Sequence, residues 1–266
     1  MKRNLRHLPH NESELDGLIE MGMQREALRA ARRTLKSKPI SVTAFNTAMN
    51  AILTFQDMRK TWRPLVESAY AALPKRSRSV VRFSMMSFYY SMRDYEAAAK
   101  LVPWHFSGDL WLMELAFSME TLLTLNRMDA MKRLVRKVPH ALKIAEHSMM
   151  QAQLLCCWAE YLARKGDWNK AIKLWEIAQV ESTFTGDAVV TVVEIHVARA
   201  LRAIRFGFQL LKQFEKNIDP ETEIIVPGND DALRQQSEKR FRRLENILQK
   251  ILTEERQAEL GMNLIA

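Results

Sequence analysis

The groups able to do acid–base, metal or redox chemistry are few, and their spacing argues against each use. Six histidines stand at His7, His10, His105, His140, His147 and His196, and none pairs with another histidine or a carboxylate at the i,i+4 metal-ligand spacing within a clear helix. His140 and His147 share a face but lie two turns, roughly 10 Å, apart along a helix axis, too far to share one zinc ion. No metal site is expected. Cys156 and Cys157 are adjacent on a helical pattern, where their side chains diverge and a bridge would be strained. They read as buried small hydrophobes in a reducing compartment, the sharper alternative being a vicinal redox pair. Carboxylates such as Glu114 with Glu120, or Glu160 with Asp167, meet only if folding converges them. No nucleophile elbow, Walker loop or GxGxxG is present, and the eight glycines are isolated. We expect no catalytic residues, no cofactor and no enzymatic activity.

One stretch tests that expectation. KGDWNKAIKLWEIA (165–178) joins a Gly-Asp pair to Trp168, Ala171, Trp175 and Ala178 at steps of three and four. It reads either as a phosphate-cradling turn backed by aromatics or as the corner of a helical hairpin. Its counterparts elsewhere decide for the corner. EMGMQREAL, FQDMRKTW, SMRDYEAAA, LNRMDAMKR and RKGDWNKAI each pause a helical pattern before a new amphipathic run, with corner positions at Gly22, Gln56, Arg93, Asn126 and Gly166. Successive corners are 34, 37, 33 and 40 residues apart. Such a period marks stacked helix-turn-helix units, each too small to bury its own apolar stripe. Gly166 permits the turn, Asp167 caps the next helix, and Ala171, like Ala27 and Ala31 of the first unit, allows close helix approach. Pro39, Pro74, Pro103 and Pro139 are expected to close units, whereas Pro64 places the start of its helix near Thr61 or Trp62.

Composition agrees with helices: only eight glycines and eight prolines in 266 residues, with 15 methionines. The N-terminus is basic but lacks a secretory apolar run, and the most apolar later stretch, 188–208, is broken by Glu194, Arg199, Arg202 and Arg205. A soluble, cytoplasmic protein is expected. Net charge is +9, with residues 1–140 carrying 23 Lys/Arg against 13 Asp/Glu. That half is the one to meet an acidic partner, unless its charge only solvates convex faces and helix C-termini.

At residues 155–178, Trp158, Ala159, Leu162, Gly166, Trp168, Ala171, Trp175 and Ala178 fall where the tetratricopeptide-repeat family carries its signature residues, and the first unit matches through Leu18, Gly22, Ala27 and Pro39. The chain thus resembles that family over roughly residues 11–180, although Gln56, Arg93 and Asn126 stand where glycine is usual. Segments 39–52 and 78–101 also resemble pentatricopeptide repeats, which bind single-stranded RNA and in which the places of Asn46 and Ser84 contribute to base choice.

The resemblance implies an all-α right-handed superhelix, an α-solenoid of stacked antiparallel hairpins with C-terminal capping helices. The expected layout is a flexible N-terminus (1–10), five hairpins (11–183), a long helix or sixth hairpin (184–217), a linker (218–230) and an amphipathic helix (231–260). That last helix carries Phe241, Leu244, Leu248 and Ile251 on one stripe, as a solenoid cap or a coiled-coil arm. KRFRR (239–243) within it reads as a solvated face or a nucleic-acid patch. Mapping the family's concave groove selects Thr43, Asn46, Asn50, Ser87, Tyr90, Glu120, Glu160 and Arg164 as partner-binding positions. None is lysine, so the family's lysine–asparagine clamp for a peptide's terminal carboxylate is not expected. The expected partner is a protein or peptide, with RNA as the alternative; no membrane and no small-molecule cofactor is expected.

Overall fold

The computed structural model describes residues 12–57, 60–103, 105–106, 110–145, 148–181, 186–201 and 230–263, and among them every regular element is an α-helix. Fourteen helices follow in order: α1 (Glu12–Glu20), α2 (Gln24–Lys36), α3 (Val42–Thr54), α4 (Trp62–Ala72), α5 (Lys75–Arg78), α6 (Arg82–Ser91), α7 (Tyr95–Lys100), α8 (Trp111–Thr124), α9 (Met128–Val135), α10 (Val138–Ile144), α11 (Ser148–Arg164), α12 (Trp168–Glu181), α13 (Gly186–Leu201) and α14 (Asp230–Asn263). None of them is long and apolar enough to cross a membrane. His7, His10 and His147, the end of the long helix at 202–217 and nearly all of the expected linker lie outside the described residues.

The five corners are the organising feature. Gly22, Gln56, Arg93, Asn126 and Gly166 have φ of 67, 47, 59, 54 and 86°, all left-handed. At four of them the backbone is closed by the same pair of bonds. Met23 N–H donates to the Leu18 carbonyl at 2.9 Å, Asp57 to Ile52 at 3.1 Å, Asp94 to Tyr89 at 2.8 Å and Asp167 to Leu162 at 2.9 Å, each beside a shorter-range bond from the corner residue itself. That pairing satisfies carbonyls a helix end leaves orphaned, and it demands one left-handed residue. Caps then start the following elements: Asp94 Oδ1 accepts from Ala97 N–H at 3.0 Å, and Ser41 caps α3 through Ala44 N–H at 2.9 Å. The Asp167 cap to Lys170 N–H is longer, at 3.4 Å.

The prolines divide into two roles. α2, α4 and α7 end just before Pro39, Pro74 and Pro103, and Pro64 sits in the first turn of α4, as expected. Pro139 is different. It occupies the first turn of α10, where its missing N–H has no helical partner to lose, so it opens a helix instead of closing a unit.

The protein divides into two compact units, residues 1–125 and 126–266. In the first, α1 packs on α2 and α3, α2 on α3 and α4, α3 on α6, and α6 on α7 and α8. First helices therefore stack on first helices, one repeat apart. Their shared core holds Phe45, Met49, Ile52, Val66, Met85 and Phe88, each at most 1% exposed, with Ala27 and Ala31 fully buried where α2 comes close. In the second unit α11 packs on α12 and α13, and α14 closes over α12 and α13. Its core joins Ala159, Ala171, Trp175 and Ala178 to Val193 and Val197. Phe241, Leu244, Leu248 and Ile251 of α14 are buried in that same core, so the stripe read from the sequence is packed within its own chain. Trp168 and Trp175 lie 6.4 Å apart between rings, as packing residues of the corner. Cys156 and Cys157 are both buried and unbridged.

Candidate functional site

Consecutive first helices carry polar side chains that meet one repeat apart. In the first unit the Ser84 hydroxyl donates to Asn46 Oδ1 at 2.8 Å, and the Tyr90 hydroxyl donates to Glu120 Oε1 at 3.1 Å, linking α3 to α6 and α6 to α8. Arg82 grips Glu114 with two parallel bonds of 3.1 and 2.9 Å, the bidentate geometry that strengthens such pairs. Glu114 is 3% exposed, so this fork also neutralises a buried carboxylate.

Asn46 and Asn50 stand one turn apart on α3. Each has its carbonyl oxygen taken by a hydroxyl of the protein, Asn46 by Ser84 and Asn50 by Thr54 at 3.3 Å. In both pairs the amide oxygen is the acceptor, and neither amide NH₂ has an acceptor among the described residues. Two amide donors at that step match carbonyl oxygens of a bound peptide. Thr43 and Asn50 are exposed, Asn46, Tyr90 and Glu120 are half-buried, and Ser87 is buried with its hydroxyl unpaired.

The second unit brings Glu160 and Arg164 together, with two residues that the sequence did not single out. Glu160 is fully buried on α11. Its Oε2 accepts from His196 Nδ1 at 2.6 Å and from Arg199 Nη2 at 2.6 Å, and its Oε1 accepts from Arg164 Nη2 one turn away. A carboxylate only accepts, so His196 carries its proton on Nδ1 here. Burial works to raise the Glu160 pKa, and the His196 bond with the His196 and Arg199 charges outweighs it, holding the carboxyl below its usual range. Arg164 also donates to Asn126 Oδ1 at 3.1 Å, tying the end of α11 to the preceding corner. His196 and Arg199 follow Glu160 by 36 and 39 residues, one repeat step, which was the only signal that could have found them. They lie on α13, which carries no recognisable signature.

A similar step links Glu194 of α13 to Arg240 of α14 at 2.9 Å through Nε. Arg242 pairs with Glu245 at 2.9 Å and reaches Glu176 at 3.6 Å, so two of the four cations of the KRFRR run, Arg240 and Arg242, are matched by carboxylates. No protein-family model, curated protein or solved structure matches this sequence.

Proposed function

We propose that this protein is a non-enzymatic, tetratricopeptide-like scaffold of the cytoplasm, a right-handed stack of hairpins that holds an extended segment of a partner protein on its first-helix face. The observation that carries the proposal is the pair of amide donors at Asn46 and Asn50, whose oxygens are already occupied. Side-chain amides in that arrangement bind main-chain carbonyls without selecting a sequence, and neighbouring side chains then supply selectivity. The repeated left-handed corners support the repeat reading, since each positions one first helix beside the next. The buried acids favour a scaffold over a catalyst, because Glu114 and Glu160 are buried and their oxygens are already taken by arginines of the same protein.

The double variant Asn46→Ala with Asn50→Ala tests it. Both positions are polar and Asn50 is exposed, so the fold should be retained while co-purifying protein is lost. Unchanged capture by a folded double variant overturns the assignment of this face.

A second reading, RNA binding by pentatricopeptide-like units, rests on the basic charge of residues 1–140. It requires affinity that falls steeply with salt as counterions are released, and specificity that changes when Asn46 or Ser84 is replaced.

A further inference from the structure

A second surface lies on α2, away from the first helices. Arg25, Arg29, Arg32 and Lys36 recur at steps of four, three and four, so they form one stripe along the helix. At 1.5 Å per residue the stripe is about 17 Å long. All four are exposed, and none makes an ion pair or side-chain hydrogen bond among the described residues. Other arginines on the protein's helices are matched: Arg63, Arg82, Arg164, Arg199, Arg240 and Arg242 each hold a carboxylate. An unmatched row of this kind repels itself at like-charge steps of three and four, a standing cost that an anionic partner relieves.

Beside the stripe runs an open groove of about 650 Å³, lined by the cations Arg25, Arg29 and Arg32, by Leu28, Phe55 and Trp62, and by Gln56 and a single carboxylate, Asp57, so three cations face one acid. Trp62 is 4% exposed, and its indole N–H is buried with no acceptor.

We propose that this face docks an acidic amphipathic helix of a partner protein, with three or four carboxylates at helical spacing on the arginine stripe and an apolar side chain over Leu28 and Phe55. Helix matches helix here: carboxylates at i, i+4, i+7 and i+11 repeat with the same rise as the cations opposite them. Single-stranded nucleic acid fits less well, because stacking needs an exposed ring. Trp62 is buried and Phe55 only half-exposed, so the groove offers no open aromatic face.

The full-length protein is titrated against a labelled synthetic helix bearing glutamates at those four spacings, with a glutamine-substituted peptide and a single-stranded RNA oligonucleotide as competitors. The exposed triple variant Arg25→Ala, Arg29→Ala, Arg32→Ala should bind the acidic helix about tenfold more weakly or worse. A control triple of other exposed cations of the same unit, Lys75→Ala, Arg76→Ala and Lys100→Ala, should bind as the native protein does. The Trp62 indole N–H resonance should shift on adding the acidic peptide. The proposal is overturned if the native protein does not bind at low salt, if the glutamine peptide binds equally well, or if the first triple variant loses no more than the control. Displacement of the acidic helix by lower concentrations of RNA would overturn it in favour of a nucleic-acid surface.

Discussion

Single residues decide how each corner is built. Gln56 and Arg93 adopt left-handed φ with a Cβ attached, which costs about 1 kcal/mol that glycine avoids. Both are exposed, and neither makes a side-chain bond among the described residues. Arg93→Gly or Gln56→Gly should therefore stabilise the protein by up to about 1 kcal/mol, and Gly166→Val should destabilise it by at least as much, in urea denaturation. Glu160 is the residue with most to lose. Removing it leaves Arg164 and Arg199, 12% and 14% exposed, without their shared carboxylate, and Glu160→Ala should cost about 3–5 kcal/mol. Its folded pKa is lowered, so its stabilisation is full above the ordinary carboxylate range and is lost as pH falls through the folded value. Stability measured from pH 7 downward should decline more steeply below about pH 5 in the native protein than in Glu160→Ala. Parallel profiles would show that Glu160 carries no such coupling.

Helices α12, α13 and α14 show how an element is held by its neighbours. α14 is strongly charged along most of its length and is anchored by one apolar stripe. Leu248 is 2% exposed against Trp175, Val193 and Val197, and Leu248→Ala should cost about 2–5 kcal/mol through lost burial and the cavity left behind. Hydrogen exchange should quicken first across α14, with α1–α4 unaffected. The same stripe was legible in the sequence as a 3.6-residue period. What it packs against was not, because a period names the buried face without naming the surface opposite.

Charge acts on the whole molecule. A net +9 gives long-range attraction for any polyanion, independent of the fold. Weak retention of RNA at low salt is therefore expected, and it should vanish by about 0.2 M salt as screening shortens. A peptide held by the Asn46 and Asn50 amides should stay bound across that range. Salt titration of captured material separates the two, and sequence-selective RNA that persists at the higher salt would favour the pentatricopeptide-like reading.

The sequence by itself determined the helical class, the five corners and a start of α4 near Thr61 or Trp62. Those features are local: a left-handed turn, a cap or a proline is set by residues within a few positions of each other. The family resemblance placed Glu160 and Arg164 among the expected groove positions. Only the tertiary structure decided that Glu160 is buried under His196 and Arg199, that Ser84 occupies the Asn46 oxygen, and that the α14 stripe closes on Trp175. Each of these bonds or contacts spans 36 residues or more, and a local pattern does not name a partner at that distance. The Pro139 misreading has the same root: a proline stops one helix or starts another with equal local ease, and the packing of α10 against α11 fixed which.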